Sequence, residues 1–219
     1  MESAVPNMTT GGLRKVPLQE RSKATTQRIL DTAARLVVDV GYDAVVGSPT
    51  LLLQESGVSR GSFYSFFETP EKVLEELAFQ CMQESGAKIR SLLRDSPSGH
   101  WHDVVDVLVA FYVDCFSRPL VRELWVGQNL TPPVRARDRE WMQNVADDVL
   151  AALRSFAPLF RALSDCQCLV AVEIMERLFQ YAYTDDVNGD RSIIDEIRIV
   201  LIQYLSSYSG EQADPKDHS

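Results

Sequence analysis

Apolar residues recur at helical spacing along most of the chain. Ile29, Ala33, Leu36 and Val40 stand three or four positions apart, Leu30, Ala34 and Val37 widen the stripe, and Gly41 follows as a stop. Ser48-Pro49 reads as an N-cap followed by proline in the first turn, and the short helix it opens closes at Gly57. Ser59 caps the next short helix, which runs to about Phe67. Thr69-Pro70 repeats the cap-and-proline signal and opens a long helix carrying Leu74, Leu77, Ala78, Cys81, Ile89 and Leu92, which Ser96-Pro97-Ser98-Gly99 ends. Val104, Leu108, Phe111, Tyr112 and Cys115 mark a further helix, stopped near Pro119, and a short piece spans Leu120 to Trp125. Trp141, Val145, Val149, Leu153 and Phe156 mark another. Leu169, Val172, Met175 or Glu176, Phe179 and Ala182 mark the next. Ile193, Ile197, Val200, Leu201, Tyr204, Leu205 and Tyr208 mark the last. No internal repeat and no convincing strand interrupts this series, and Val45-Val46 is too short to assign. The pattern predicts an all-α fold.

The composition sets bounds on this picture. With 219 residues and 45% hydrophobic content the chain can bury a real core. It contains no apolar run long enough to span a membrane and no basic-then-apolar leader, so the cytoplasm is the expected compartment. Cys81, Cys115, Cys166 and Cys168 are read as reduced thiols, mostly in the core. The net charge of −9 argues at first against nucleic acid, but it is unevenly spread. Residues 1–94 hold 11 basic and 11 acidic side chains, whereas residues 95–219 hold 11 and 20. Arg14, Lys15, Arg21, Lys23 and Arg28 make the N-terminal segment locally basic, and screening confines the reach of the distant acids to about 10 Å.

Ser48 to Phe67, SPTLLLQESGVSRGSFYSFF, is the most informative stretch. Two short helices joined by a tight turn need glycine where the backbone goes left-handed and apolar residues around the turn to lock the crossing. Leu52, Gly57, Val58 and Phe63 occupy those places. The second helix then offers Ser59, Arg60, Gly61, Ser62 and Tyr64 at its N-terminal end, small or polar groups suited to the major groove.

From Arg28 to Leu77 the chain resembles the TetR family of transcriptional regulators. The resemblance is carried by IL and TAARL within Ile29 to Leu36, GYDA at Gly41 to Ala44, SGVSRGSFYSFF at Ser56 to Phe67, and Leu74 and Leu77. It implies a three-helix helix-turn-helix domain over residues 18–75 and a helical ligand-binding and dimerisation domain over 76–209. A disordered arm (1–17) and a disordered tail (210–219) are expected at the ends. Ser59, Arg60, Ser62 and Tyr64 would contact DNA, with Arg60 reading a base and the Tyr64 hydroxyl bonding a phosphate. Gly61 would allow close approach of the backbone. Ser48 and Thr50 would hold phosphate at the first helix of the motif, and Lys72 would supply charge that Pro70 cannot. The interval from Gly41 to Gly57 is slightly longer than usual in that family, with Val45-Val46 as the inserted pair. Leu53 stands where alanine is common, which predicts a slightly wider spacing of the two short helices.

A small reading head contacts few bases, so a homodimer on a palindromic operator is expected, the last two helices forming a four-helix bundle across the two-fold. Large soft residues in the middle of the chain suit an apolar pocket for an organic effector. Its candidate lining is Phe111, Cys115, Trp125, Met142, Met175 and Phe179. The expected function is a DNA-binding regulator, a repressor, released from its operator by a small apolar or amphipathic ligand. A helical protein-interaction adaptor is the alternative, but it leaves Arg60, Ser62 and Tyr64 on one short helix unexplained. No convergent acid, base or nucleophile suggests an enzyme. No metal or cofactor is expected: His100 and His102 do not share a helix face, and Cys166 and Cys168 lack the usual zinc spacing.

Overall fold

A computed structural model describes residues 11–14, 20–95 and 99–210. Among these residues the fold is helical throughout. The elements are α1 (Glu20–Val40), α2 (Tyr42–Gly47), α3 (Pro49–Ser56), α4 (Arg60–Phe66), α5 (Pro70–Arg94), α6 (His102–Ser117), α7 (Pro119–Val121), α8 (Pro132–Arg154), α9 (Asp165–Ala182) and α10 (Arg191–Ser206). A π-helical turn, Arg122–Val126, continues α7. No helix of the described residues is long and apolar enough to cross a membrane.

Caps placed by the sequence start several helices. The Ser59 side chain accepts the Ser62 N–H at the start of α4, and Thr69 accepts the Lys72 N–H ahead of Pro70 in α5. Ser164 and Gln167 form a reciprocal capping box on α9. Asp190 accepts the N–H groups of Ser192 and Ile193 at the start of α10.

Two apolar cores meet along α5. Ile29, Leu30, Leu36, Val37, Leu52, Val58, Phe63, Phe67, Val73, Leu74 and Leu77 build the N-terminal one. Ala78 begins the second, which runs through Met82, Ile89, Tyr112, Phe116, Met142, Val149, Phe179, Ile197 and Leu201. Along α5 the buried residues of the two clusters change over between Leu77 and Ala78. The single helix α5, ~37 Å long at 1.5 Å per residue, enters both cores. In the second core α8 packs against α5 and α9, and α10 against α9 and α6.

Three local expectations change. Val45-Val46 belongs to α2, where Val45 is fully buried in the N-terminal core; Gly41, at φ 87°, breaks the chain between α1 and α2. Helix α8 begins at Pro132, well before the apolar stripe starting at Trp141. Its first turns carry Arg135, Arg137, Asp138, Arg139 and Glu140, so only Val134 marks the buried face there. Cys166 is exposed, whereas Cys115 and Cys168 are buried and Cys81 is partly so.

Of the segment expected to be disordered, residues 11–14 are held against the domain. The Arg14 N–H donates to the Phe66 carbonyl at 2.8 Å, and the Gly12 backbone bonds the Glu76 carboxyl, whose titration burial pushes upward. A side chain at Gly12 would lie 2.2 Å from the Lys72 carbonyl oxygen, so only glycine fits there. Residues 1–10, 15–17 and 211–219, also expected to be disordered, lie outside the described residues.

Candidate nucleic-acid interface and ligand cavity

Gly57 sits at φ 62°, the left-handed conformation that ends α3 and lets the chain turn into α4. Val58 then enters the core, and Ser59 restarts the helix. Phe63 is fully buried, which anchors α4 by one face and sets the other outward. Ser59, Arg60 and Gly61 are exposed, and Ser62 and Tyr64 are half-buried. The Arg60 guanidinium lies over the Tyr64 ring, 5.9 Å from its centroid, and Tyr64 meets Phe63 edge-on at 5.2 Å. Among the described residues no carboxylate forms an ion pair with Arg60. The Ser59 and Ser62 hydroxyls are 2.9 Å apart, so Ser59 is engaged as a cap as well as exposed. The Arg14 Nη1 donates to the Tyr64 carbonyl at 3.4 Å, which adds a cation beside α4.

On α3, Thr50 is exposed and Ser48 half-buried; Ser48 occupies the cap position but makes no side-chain capping bond. Lys72 is engaged within the protein. Its ammonium is bound to the Glu75 carboxylate at 2.7 Å, and Glu75 is almost wholly buried. The other oxygen of Glu75 accepts the Thr131 hydroxyl at 2.8 Å. Thr131 is the N-cap residue of α8, so this carboxylate joins the N-terminal turn of α5 to the start of α8. A phosphate contact by Lys72 would have to compete with an ion pair to a buried acid, which is costly to leave unpaired.

Removing the Thr131 hydroxyl tests that junction. Thr131→Val keeps the volume and leaves one buried oxygen of Glu75 without its donor. We expect a loss of about 1–3 kcal/mol in unfolding stability. A denaturant midpoint equal to that of the native protein would remove Thr131 from the junction.

The second core borders a half-open cavity of about 30 Å³, room for about two water molecules. Helices α5, α6, α8 and α9, with α7 and the π-helical turn, supply its wall. Phe111, Cys115 and Trp125, three of the six candidate residues, line it. Met142, Met175 and Phe179 do not: they are buried behind it. Phe179 stacks on Tyr112 and Phe116 at 5.4 and 5.9 Å, and Met142 lies 3.7 Å from the Tyr112 hydroxyl through its sulfur. Helical periodicity put all of them on buried faces but could not rank them by depth.

The polar part of the wall was missed from sequence. Arg118 Nη2 donates to the Ser85 hydroxyl at 3.1 Å, while its buried Nε has no hydrogen-bond partner. The Trp141 indole Nε1 is also buried and unpartnered. Glu176 is 8% exposed and accepts from Gln180 at 3.1 Å. Burial, with the nearby Asp138 adding repulsion, pushes its carboxyl up to about 8. Asp138 is itself raised by burial and accepts the Trp125 indole N–H at 2.9 Å. The one signal available beforehand was Glu176 falling on the apolar stripe of α9.

Residues 97–208, just over half of the chain, match the family model described as tetracyclin repressor-like, C-terminal domain. The chain belongs to the TetR family of transcriptional regulators. Solved structures extend the likeness over the N-terminal domain. A TetR-family regulator from Streptomyces coelicolor is 24% identical, with a TM-score of 0.61, covering 84% of this chain and 99% of that one. SmeT, the repressor of a Stenotrophomonas maltophilia multidrug efflux pump, is 17% identical, with a TM-score of 0.59, covering 88% and 94%. Thermus thermophilus FadR, a TetR-family repressor solved with lauroyl-CoA, is 19% identical, with a TM-score of 0.55, covering 89% and 100%. No curated protein matches the sequence. At these identities the structures establish a shared fold. In this TetR-family chain the helix-turn-helix is α3 and α4, and the matched C-terminal domain contains α6 to α10.

Proposed function

We propose that this regulator binds a palindromic operator as a homodimer through α4, represses transcription there, and is released when a small amphipathic molecule enters the cavity between α5, α6, α8 and α9. The observation that carries the reading is the outward face of α4, where Ser59, Arg60 and Gly61 are exposed beside Tyr64, with Arg60 free of any carboxylate among the described residues. A guanidinium so placed matches the guanine edge, and the N-terminal end of such a helix is the part that reaches base edges. Arg14 beside it and Ser48 and Thr50 on α3 supply phosphate contacts.

Dimerisation is supported by apolar side chains left in solvent on α9 and α10. Val170 and Tyr181, about three turns apart on one face of α9, are 38% and 63% exposed, and Ile199 and Val200 on α10 are 49% and 36% exposed. A second copy would cover them and set two reading heads roughly one DNA turn apart, ~34 Å. Release follows from α5, which enters the N-terminal core at one end and lines the cavity with Cys81, Met82 and Ser85 further along. A ligand that widens the cavity favours a different tilt of α5 and a different spacing of the heads. A tenfold loss of operator affinity needs about 1.4 kcal/mol of differential ligand binding, and a complete switch about 5.5 kcal/mol.

Selection of bound fragments from the source genome, followed by binding assays with two variants, tests this. Arg60→Ala should cost roughly 1–3 kcal/mol on the selected site and blunt its preference over random duplex. Tyr64→Phe should weaken selected and random duplexes alike. Arg60→Ala acting equally on both duplexes would refute base reading by Arg60. A purified protein that binds no fragment at modest salt would refute the function.

A further inference from the structure

Two residues of the cavity wall carry donors that lack acceptors. Arg118 Nε and Trp141 Nε1 are both buried, both belong to residues of its wall, and neither has a hydrogen-bond partner. Leaving one such group unpaired is costly, and two at one small cavity are unusual in a settled core. The other Arg118 contact goes to the Ser85 hydroxyl, a neutral acceptor, and the Cys115 thiol beside it is a weak one. Among the described residues no carboxylate forms an ion pair with Arg118; Asp114, the carboxylate that feels its charge, is itself bound to Lys88.

The acid in the same wall is in the opposite condition. Glu176 already receives the Gln180 amide and holds its proton through neutral pH, so it neither needs a cation nor repels an anion there. The remaining surface is apolar and aromatic: Phe111, Phe116, Val121 and Trp125. A fixed cation and two orphaned donors carried by residues of an otherwise apolar wall are complementary to a compact molecule with a carboxylate at one end.

We infer that the effector of this cavity is a small aromatic or short-chain carboxylate, its carboxylate accepting from Arg118 Nε and Trp141 Nε1 and its apolar body lying among Phe111, Phe116 and Trp125. The inference deepens the ligand-responsive reading above and rests on it. With about 30 Å³ of open space, the ligand enters by displacing flexible side chains, of which Met82 is the most adaptable in the wall. That expansion is the cost through which binding can move α5.

Three single-ring probes of the same shape but different charge decide the matter: benzoate, benzamide and benzamidine, with hexanoate as a chain-like carboxylate. Binding to the full chain is read from tryptophan fluorescence, since Trp125 and Trp141 both line the cavity, and from the shift in thermal midpoint. At least one of the two carboxylates should bind saturably, and more tightly than benzamide or benzamidine. Arg118→Met should weaken that carboxylate at least roughly tenfold, the effect of losing a charge-assisted bond. Trp141→Phe, which keeps the ring and removes the N–H, should weaken it a few-fold with Trp125 as the reporter. It also stands as the second variant should Arg118→Met fold poorly.

Failure of both carboxylates to bind, or full binding by both variants, overturns the inference. So does tighter binding of benzamidine that is lost in Glu176→Gln, which would assign the cavity to cations. The operator assay separates the two readings. A carboxylate that binds through Arg118 without releasing DNA sinks ligand-controlled release and leaves the anion site standing. Release by benzamidine alone does the reverse.

Discussion

Phe63→Ala should lower the unfolding stability by about 3–5 kcal/mol, a drop in thermal midpoint of roughly 6–20 °C for a chain of this size, and should abolish operator binding near the new midpoint. Phe63 has no solvent exposure and is the main contact by which α4, only seven residues long, is attached to the N-terminal core. A helix that short has no stability of its own, so its place depends on that one ring and on Val58 and Phe66 around it. Phe63 also meets Tyr64 edge-on and Phe67 at 6.1 Å. Phe63→Leu, which refills most of the space, should lose much less and keep DNA binding. Calorimetry on both variants measures this, and a midpoint for Phe63→Ala within a degree or two of the native value would show that α4 is held by something else.

Glu176→Gln should flatten the dependence of stability on pH. The Glu176 carboxyl has an ordinary value of 4.5 and is pushed up to about 8 in the fold by burial, with Asp138 and Glu173 adding to the effect. Between those values the native state keeps a proton that the unfolded chain has released. Stability from this group is therefore fully present below about 4.5 and is lost as pH rises toward 8, at about 1.4 kcal/mol per pH unit. Glutamine has nearly the same size and no charge, so this share of the slope disappears. The raised carboxyls of Asp138 and Glu76 keep a residual slope of the same sign in the variant. Urea midpoints taken at several pH values between about 5 and 8 compare the two proteins. Parallel curves would mean that Glu176 is ionised or hydrated in the native state.

The two expectations draw on unlike parts of the chain, and the sequence served them unequally. The place of Phe63 was legible because the motif around it is local: a glycine that must be left-handed, a cap at Ser59, and apolar residues spaced to meet across a single turn. The ion pair of Lys72 was not legible. The residue's position in the first turn of α5 suggested a phosphate contact, but its partner, Glu75, is buried where Tyr42, Leu130 and Thr131 come together over it. The cavity shows the same difference. Of the six candidate residues Phe111, Cys115 and Trp125 border it, while Met142, Met175 and Phe179 lie behind it. All six fall on buried helix faces, and periodicity carries no information about which buried side chain borders an empty space. Arg118, one residue before the proline that opens α7, had no pattern to mark it.

The sequence by itself determined the all-helical class, nearly every helix start that is marked by a cap or a proline, the helix-turn-helix, and the family, because each of these rests on contacts between residues close together in the chain. Only the tertiary structure decided that the two cores divide within α5 after Leu77, that Glu75 ties the domains together through Thr131, and that two donors in the second core lack acceptors. Those features arise where helices distant in sequence converge. Burial and the supply of hydrogen-bond partners there are properties of the packed arrangement rather than of any one segment.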